Sequence, residues 1–111
     1  MEVLNYLLDY NNLKIYQNTD WFSFSIDSVL LANFVRLNNK MKILDMCTGN
    51  APIPLFLSTK TKSKITGVEI QKEIYDLAVK SVKINNLDNQ INILNKDIKN
   101  LKNIFENDKY D

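Results

Sequence analysis

The sequence predicts an α/β fold with an open parallel sheet. Between Met41 and Asp111, three short apolar runs typical of strands alternate with three runs typical of helices, an order that favours parallel pairing through right-handed crossovers. Each strand-like run also closes on an acidic residue, and open α/β sheets bind ligands beyond the carboxyl ends of their strands. We therefore expect a ligand site at that edge of the sheet.

The first 40 residues are predicted to form an accessory hairpin and helix that precede the sheet domain. Residues 3–17 contain two strand-like runs around the turn-forming pair Asn11 and Asn12. An aromatic loop, NTDWFSFS, then leads into the helix SIDSVLLANFVRL, with Ser25 or Asp27 as its N-cap. Apolar spacing gives this helix one predicted face. Its members are Ile26, Val29, Leu30, Asn33 and Phe34.

Residues 41–111 are predicted to be the first half of the sheet domain, so the domain is incomplete. The strands are expected over residues 41–47, 64–70 and 91–97. Pro52 and Pro54 open the first helix, because proline is tolerated in a first turn where its missing N–H has no partner anyway. The best amphipathic helix is expected over residues 71–86, and a shorter one over residues 98–107.

Composition excludes several kinds of site. The single cysteine excludes an internal disulfide, and the absence of histidine excludes imidazole catalysis or histidine metal ligands within the chain. The net charge of +1 does not by itself indicate a nucleic-acid or membrane partner. No apolar run approaches the roughly 20 residues that cross a bilayer, and the N-terminus lacks the basic start of a signal peptide. We expect a cytoplasmic protein with no metal and no membrane contact.

The strand ends supply candidate ligand contacts. Gly49 follows the first strand, where glycine permits a positive φ or a close approach of the backbone to a ligand. Glu69 lies 20 residues further on, about the spacing at which a dinucleotide-type fold places an acid on ribose hydroxyls. A carboxylate can accept both hydrogen bonds of a vicinal diol. Asp97 could accept from the amine of an adenine, although for each acid alone a helix cap or a solvated loop is an equal alternative.

The turn after Asp45 favours one nucleoside cofactor over another. Pyrophosphate cofactors need backbone N–H donors at a helix start, and Pro52 and Pro54 remove two of them. The turn suits S-adenosylmethionine better, with Asp45 facing its cationic amino group. Ile70 and Ile98 could hold the adenine ring between them, or belong to the core instead.

The residues of this turn resemble a known family. DMCTGNAPIP resembles motif I of class I methyltransferases, D-x-x-x-G-x-G; GVEI resembles their motif II, and NKD their acid after the third strand. With FSFSIDSVLLANFV and GVEIQ, nearly the whole chain is similar to the bacterial tRNA adenine-N(6) methyltransferases, small-domain enzymes that modify the adenine beside the anticodon of a valine tRNA. The resemblance implies a Rossmann-like sheet, S-adenosylmethionine as cofactor and tRNA as partner.

The resemblance also assigns two residues of motif I. Cys47 is expected to be a small residue packed near the cofactor and not a nucleophile. Ala51 stands where the family commonly has glycine, so we expect its methyl group to crowd the methionine part of the cofactor.

The family's catalytic motif, N-P-P-Y at the end of a fourth strand, does not occur in these 111 residues. We therefore expect the chain to be the N-terminal part of a methyltransferase, inactive on its own and poorly soluble or oligomeric because the edge of its first strand is open. Other acceptors remain open: another RNA, a protein glutamine or a small molecule. A catalytically dead module that binds a nucleoside or a partner is a further alternative, and an NAD-dependent oxidoreductase is disfavoured.

Three further groups of residues, one aromatic and two basic, have alternative interpretations. Three aromatic residues of the loop are expected to form a hydrophobic lid, with base stacking as the alternative; they are Trp21, Phe22 and Phe24. Two groups of lysines are expected on solvated faces, with RNA phosphate contacts as the alternative. They are Lys60, Lys62 and Lys64, and Lys96, Lys99 and Lys102.

Overall fold

The computed structural model describes residues 1–7, 12–20, 26–100, 102 and 110–111. Five strands and three α-helices lie in this part of the chain, followed by a short 3-10 turn. In chain order they are β1 (Glu2–Tyr6), β2 (Lys14–Asn18), α1 (Ile26–Phe34), β3 (Lys42–Met46), α2 (Pro52–Ser58), β4 (Lys64–Val68), α3 (Lys72–Ile84), β5 (Ile91–Leu94) and the 3-10 turn Ile98–Asn100.

The central sheet is parallel, with strand order β3-β4-β5. Its β4 and β5 strands carry buried side chains such as Ile65, Val68 and Ile91, as expected where helices cover a parallel sheet. The two prolines of α2 stand in its first turn and are both buried. The predicted α/β fold with an open parallel sheet is thus confirmed.

The strands are shorter than the apolar runs suggested. β4 ends at Val68 and β5 at Leu94, so Glu69 and Asp97 lie in the segments after the strands. The chain leaves the sheet at Asn95, whose side chain bonds backbone carbonyls after β4 in place of continuing the ladder. Of the helix expected over residues 98–107, the described part is the 3-10 turn together with Lys102, and residues 101 and 103–109 lie outside the described residues.

Four of the five residues on the predicted face of α1 are exposed, the polar Asn33 and three apolar residues. Ile26, Leu30 and Phe34 are 64%, 60% and 83% exposed, whereas the buried residues are Val29 and Ala32. α1 packs against α2, and the small side chain of Ala32 permits the close approach that bulky residues would prevent. Spacing alone cannot reveal which stripe meets the neighbouring helix.

The start of α1 also differs from the expectation. Asp27 lies in its first turn, so it is not the N-cap. Ser25, the other candidate for the N-cap, is outside the described residues. An acid in the first turn remains favourable there because it interacts with the positive end of the helix dipole.

β1 and β2 form the predicted antiparallel hairpin, with Asn12 at φ 60° in the turn. The outer edge of β2 docks on side chains and not on another strand. Asn85 bonds both the N–H and the carbonyl of Lys14, and the Ser81 hydroxyl accepts from the Tyr16 N–H at 2.7 Å. Both side chains come from α3 or its C-terminal end, so the hairpin is fixed to the sheet domain by polar contacts that satisfy an exposed strand edge.

Candidate functional site

The turn between β3 and α2 has an unusual backbone. Cys47, Gly49 and Ala51 all have positive φ, at 60°, 61° and 71°. Only glycine adopts this left-handed region without penalty, and a residue with a Cβ loses about 1–2 kcal/mol there. Such conformations persist when surrounding contacts fix them, and they cluster at functional sites. The turn is therefore the first place to look for a ligand contact.

Glu69 fixes this turn to the start of α3. Its Oε1 accepts from the Gly49 N–H at 3.0 Å, and its Oε2 accepts from the Gln71 N–H at 2.8 Å. Glu69 is only 8% exposed, so both bonds are largely shielded from water, and bonds from a backbone N–H to a carboxylate are among the strong ones. Each carboxylate oxygen still has a second lone pair with which to accept from a ligand.

A cavity of about 420 Å³ opens beyond the ends of β4 and β5, within the range of small-molecule sites. We call it the strand-end cavity. It brings together five of the seven predicted site residues: Cys47, Glu69, Ile70, Asp97 and Ile98. Ile70 and Ile98 are 60% and 45% exposed, so the alternative that placed them in the core is wrong.

Asp97 has a structural role that sequence reasoning considered as its alternative. Its Oδ1 accepts from the Lys99 N–H at 2.9 Å, and its carbonyl accepts from the Asn100 N–H. The carboxylate thus caps the 3-10 turn at the wall of the strand-end cavity. That bond uses one of its two oxygens.

Asp45 lines a different cavity from the other two acids. It lines a second cavity, of about 220 Å³, together with apolar residues of α1 and α2. Its Oδ2 accepts from the Thr48 hydroxyl at 2.7 Å. Burial raises the pKa of Asp45 above its ordinary value of 3.8, and the Thr48 hydrogen bond opposes that rise. The structure therefore gives Asp45 a different cavity from that of Glu69.

Gly49 and Ala51 differ in what surrounds their Cβ positions. A Cβ added to Gly49 would meet no atom of the described residues within 4 Å. The methyl group of Ala51, by contrast, is fully buried in the hydrophobic core. The expected crowding of a cofactor by Ala51 is not supported, because its methyl group packs inward.

Two contributors to the site were missed by sequence reasoning. The Nδ2 of Asn95 donates to the carbonyls of Glu69 and Ile70 at 2.9 and 3.0 Å, and so ties the end of β5 to the segment after β4. Thr48 is buried beside Gly67, where an added Cβ would lie 2.9 Å from its hydroxyl oxygen. Asparagine is abundant in this chain, and a single Asn or Thr near a strand end carries no pattern that would identify these contacts.

Four of the six predicted lysines either donate to backbone carbonyls or line the strand-end cavity. The Nζ of Lys60 donates to two carbonyls at the end of α1, and that of Lys64 to the Asn89 carbonyl, so these two are not simply solvated. Lys96 and Lys99 line the strand-end cavity.

Three predicted lid residues lie outside the described part of the chain, and no metal-binding group or membrane-spanning helix is found within it. Trp21, Phe22 and Phe24 lie outside the described residues. Within the described residues, no group of three or more Cys, Asp or Glu side chains could hold a metal ion. In the same part of the chain, no helix has the length and apolar character needed to cross a membrane.

Comparison with known proteins defines the fold. The sequence matches no protein-family model and no curated protein. Among solved structures, it is similar to a human methyltransferase 10 domain containing protein, with a TM-score of 0.77 and 17% identity over 91% of this chain and 50% of that one. It is also similar to Methanocaldococcus jannaschii Trm5 in complex with adenosine, with a TM-score of 0.66 and 21% identity over 86% and 30% of the two chains.

A third similar structure is M. capricolum TrmK in complex with S-adenosylhomocysteine, with a TM-score of 0.60 and 23% identity over 73% of this chain and 36% of that one. The three likenesses show the Rossmann-like fold of the class I methyltransferases. The chain spans between 30% and 50% of the length of these three structures.

Proposed function

We propose that this chain binds S-adenosylmethionine in the strand-end cavity, as part of a methyltransferase. The observation that carries the proposal is the Glu69 carboxylate, which is fixed against the Gly49 N–H at the wall of a cavity of about 420 Å³. The open space beside Gly49 also fits a ligand, because a backbone without Cβ can be approached closely there. Two of the similar structures were solved with adenosine and with S-adenosylhomocysteine, which supports the same class of ligand.

Each residue has a distinct task in this proposal. Glu69 accepts from the ribose hydroxyls with its remaining lone pairs, and Asp97 accepts from the adenine amine with its second oxygen. Ile70 and Ile98 hold the adenine ring between them; their exposed side chains become buried when it binds. Cys47 packs as a small residue against the ligand.

Asp45 completes the cofactor site in this proposal. Its carboxylate is half-buried and accepts from Thr48, the neighbour of Gly49, so it borders the turn that Glu69 holds as well as the second cavity. A cationic amino group there would favour the ionised form and lower a pKa that burial has raised. When bound, S-adenosylmethionine supplies a methyl group activated by its sulfonium. The protein side chains described above bind and orient it, which is the main contribution that positioning makes to transfer.

The acceptor is the N6 amine of an adenine in tRNA, in the cytoplasm. This part of the proposal rests on the resemblance of FSFSIDSVLLANFV and GVEIQ to the bacterial tRNA adenine-N(6) methyltransferases. In this proposal residues 1–40 form an accessory segment and residues 41–111 the first half of the cofactor domain. The acceptor base is then held by an N-P-P-Y motif that lies outside these 111 residues.

Calorimetric titration with S-adenosylhomocysteine tests the cofactor site. We expect Glu69→Gln to weaken binding by at least about tenfold, because a hydrogen bond to a charged group contributes about 1.5–3 kcal/mol. The matched control is Glu73→Gln, an exposed acid in the first turn of α3, which should leave affinity unchanged. A well-folded wild-type protein that does not bind would overturn the proposal and favour a partner-binding module.

The acceptor is tested separately. The full-length protein is incubated with labelled S-adenosylmethionine and bulk tRNA, and the digested tRNA is searched for N6-methyladenosine. Label on another nucleoside, on a protein glutamine or on a small molecule would keep the cofactor site and replace the acceptor.

A further inference from the structure

The side chain of Asn50 points from the turn to the N-terminal hairpin. Asn50 is 3% exposed, and its Nδ2 donates to the Tyr16 carbonyl at 2.9 Å. This carbonyl lies on the outer edge of β2, where Ser81 binds the N–H of the same residue. Among the described contacts that bind this edge, Asn50 alone comes from the turn that follows β3, whereas Ser81 and Asn85 come from α3 or its end.

The position of Asn50 within the turn gives this bond its importance. Its neighbours Gly49 and Ala51 both have positive φ, and the Gly49 N–H donates to Glu69. A left-handed alanine is unfavourable by itself, so contacts around it must hold the backbone in place. The bond from Asn50 to the hairpin is such a contact, and it lies one residue from the amide that meets Glu69.

We propose that Asn50 is a positioning residue, which holds the Gly49 turn in its ligand-binding geometry through its bond to the hairpin. This inference rests on the proposed cofactor site and adds the hairpin to it as a supporting element. Because coupling between two sites is reciprocal, a ligand in the strand-end cavity should in turn stabilise the docked hairpin.

Two matched substitutions test the inference on the purified full-length protein. Asn50→Ala and Ser81→Ala each leave one backbone group of Tyr16 without its side-chain partner, so both should lower the melting temperature. Only Asn50→Ala should weaken the binding of S-adenosylhomocysteine, by about fivefold or more, the lower end of typical coupling between sites. Ser81→Ala should weaken binding clearly less than Asn50→Ala, since its own bond reaches the hairpin from α3 and does not involve the turn.

Hydrogen exchange supplies a readout that a purely structural role would not change. In the wild type and in Ser81→Ala, S-adenosylhomocysteine should slow the exchange of the β2 amides. In Asn50→Ala this ligand-dependent protection should be lost. If Asn50→Ala does not fold, Asn50→Ser replaces it, because serine keeps a small polar side chain at this buried position while its hydroxyl lies one bond closer to the backbone than the Asn50 amide, away from the Tyr16 carbonyl.

The outcomes separate this inference from the proposed function. Wild-type affinity in the Asn50 variant, or an equal loss in both variants, overturns the positioning role and leaves the cofactor site in place. Failure of the wild type to bind S-adenosylhomocysteine overturns the cofactor site and the positioning role together.

Discussion

Replacing Gly49 with alanine separates the ligand-binding role of the turn from its structural role. The residue has φ 61°, and no atom of the described residues lies within 4 Å of the added Cβ. The new methyl group therefore meets no packing obstacle. The left-handed backbone is unfavourable for alanine by about 1–2 kcal/mol, and the reduced entropy of the unfolded chain offsets about 0.4–1 kcal/mol of this.

We therefore expect Gly49→Ala to lose about 1 kcal/mol of stability, which corresponds to a fall in melting temperature of about 4–8 °C for a small domain. The affinity for S-adenosylhomocysteine should fall by at least about tenfold, which corresponds to about 1.4 kcal/mol, because the methyl group enters the space through which the ligand approaches the backbone. Thermal unfolding without ligand and calorimetric titration with ligand measure the two effects independently. An unchanged affinity alongside the expected fall in melting temperature would show that the ligand does not approach the backbone at Gly49.

The matched control is Ala51→Gly in the same turn. Its φ is 71°, but its methyl group lies in the core. Glycine relieves about 1–2 kcal/mol of backbone strain, which stabilises the folded state. Loss of the buried methyl group lowers stability by about 0.8 kcal/mol, and the greater entropy of the unfolded chain lowers it by about 0.4–1 kcal/mol. These terms nearly cancel, so stability and affinity should both stay close to those of the wild type. A clear rise in affinity would restore the expectation that Ala51 crowds the cofactor.

Two further substitutions test the acid of β3 and the packing beneath the turn. Burial raises the pKa of Asp45, so the folded state holds this proton more tightly than the unfolded state and stability falls as pH rises above about 3.8. Asp45→Asn should therefore raise the melting temperature at neutral pH, and this gain should disappear when the pH is lowered towards 3.8. The same substitution should weaken ligand binding. A lower melting temperature at pH 7 would contradict the stability argument. Gly67→Ala should destabilise by about 1–3 kcal/mol, because its Cβ would lie 2.9 Å from the Thr48 hydroxyl and 3.0 Å from a methyl group of Ile93. An unchanged denaturant midpoint for that variant would contradict the packing argument.

The order of elements could be read from the sequence because it depends on local periodicity. Buried parallel strands produce short apolar runs, and α3 shows the spacing of an amphipathic helix, with Leu77, Ala78 and Val82 buried. The face of α1 could not be read in the same way. Leu30 and Phe34 are more hydrophobic than Ala32, yet Ala32 is the buried residue, because the approach of a neighbouring helix decides which stripe is covered.

The same contrast between local pattern and long-range contact explains which site residues could be predicted. Glu69 and Asp97 could be placed together from topology alone, since the carboxyl ends of adjacent parallel strands meet at one edge. Asp45 was expected with them, but its bond to Thr48 and its apolar surroundings place it at another cavity. Asn50 and Asn95 act through long-range hydrogen bonds to residues 34 and 26 positions away, and no local pattern encodes such partners.

The two interpretations of the strand-end acids are not exclusive in this structure. Glu69 joins the turn to α3, and Asp97 caps the 3-10 turn, so each carboxylate already has the structural role that sequence reasoning offered as the alternative. These same bonds fix the orientation of two side chains that line the strand-end cavity, since a carboxylate held by a backbone N–H cannot rotate freely. A carboxylate fixed before the ligand arrives loses little entropy on binding, so the structural bonds of Glu69 would strengthen a ligand contact. For this reason a loss of stability alone cannot assign a function to either acid, and affinity must be measured on variants that remain folded.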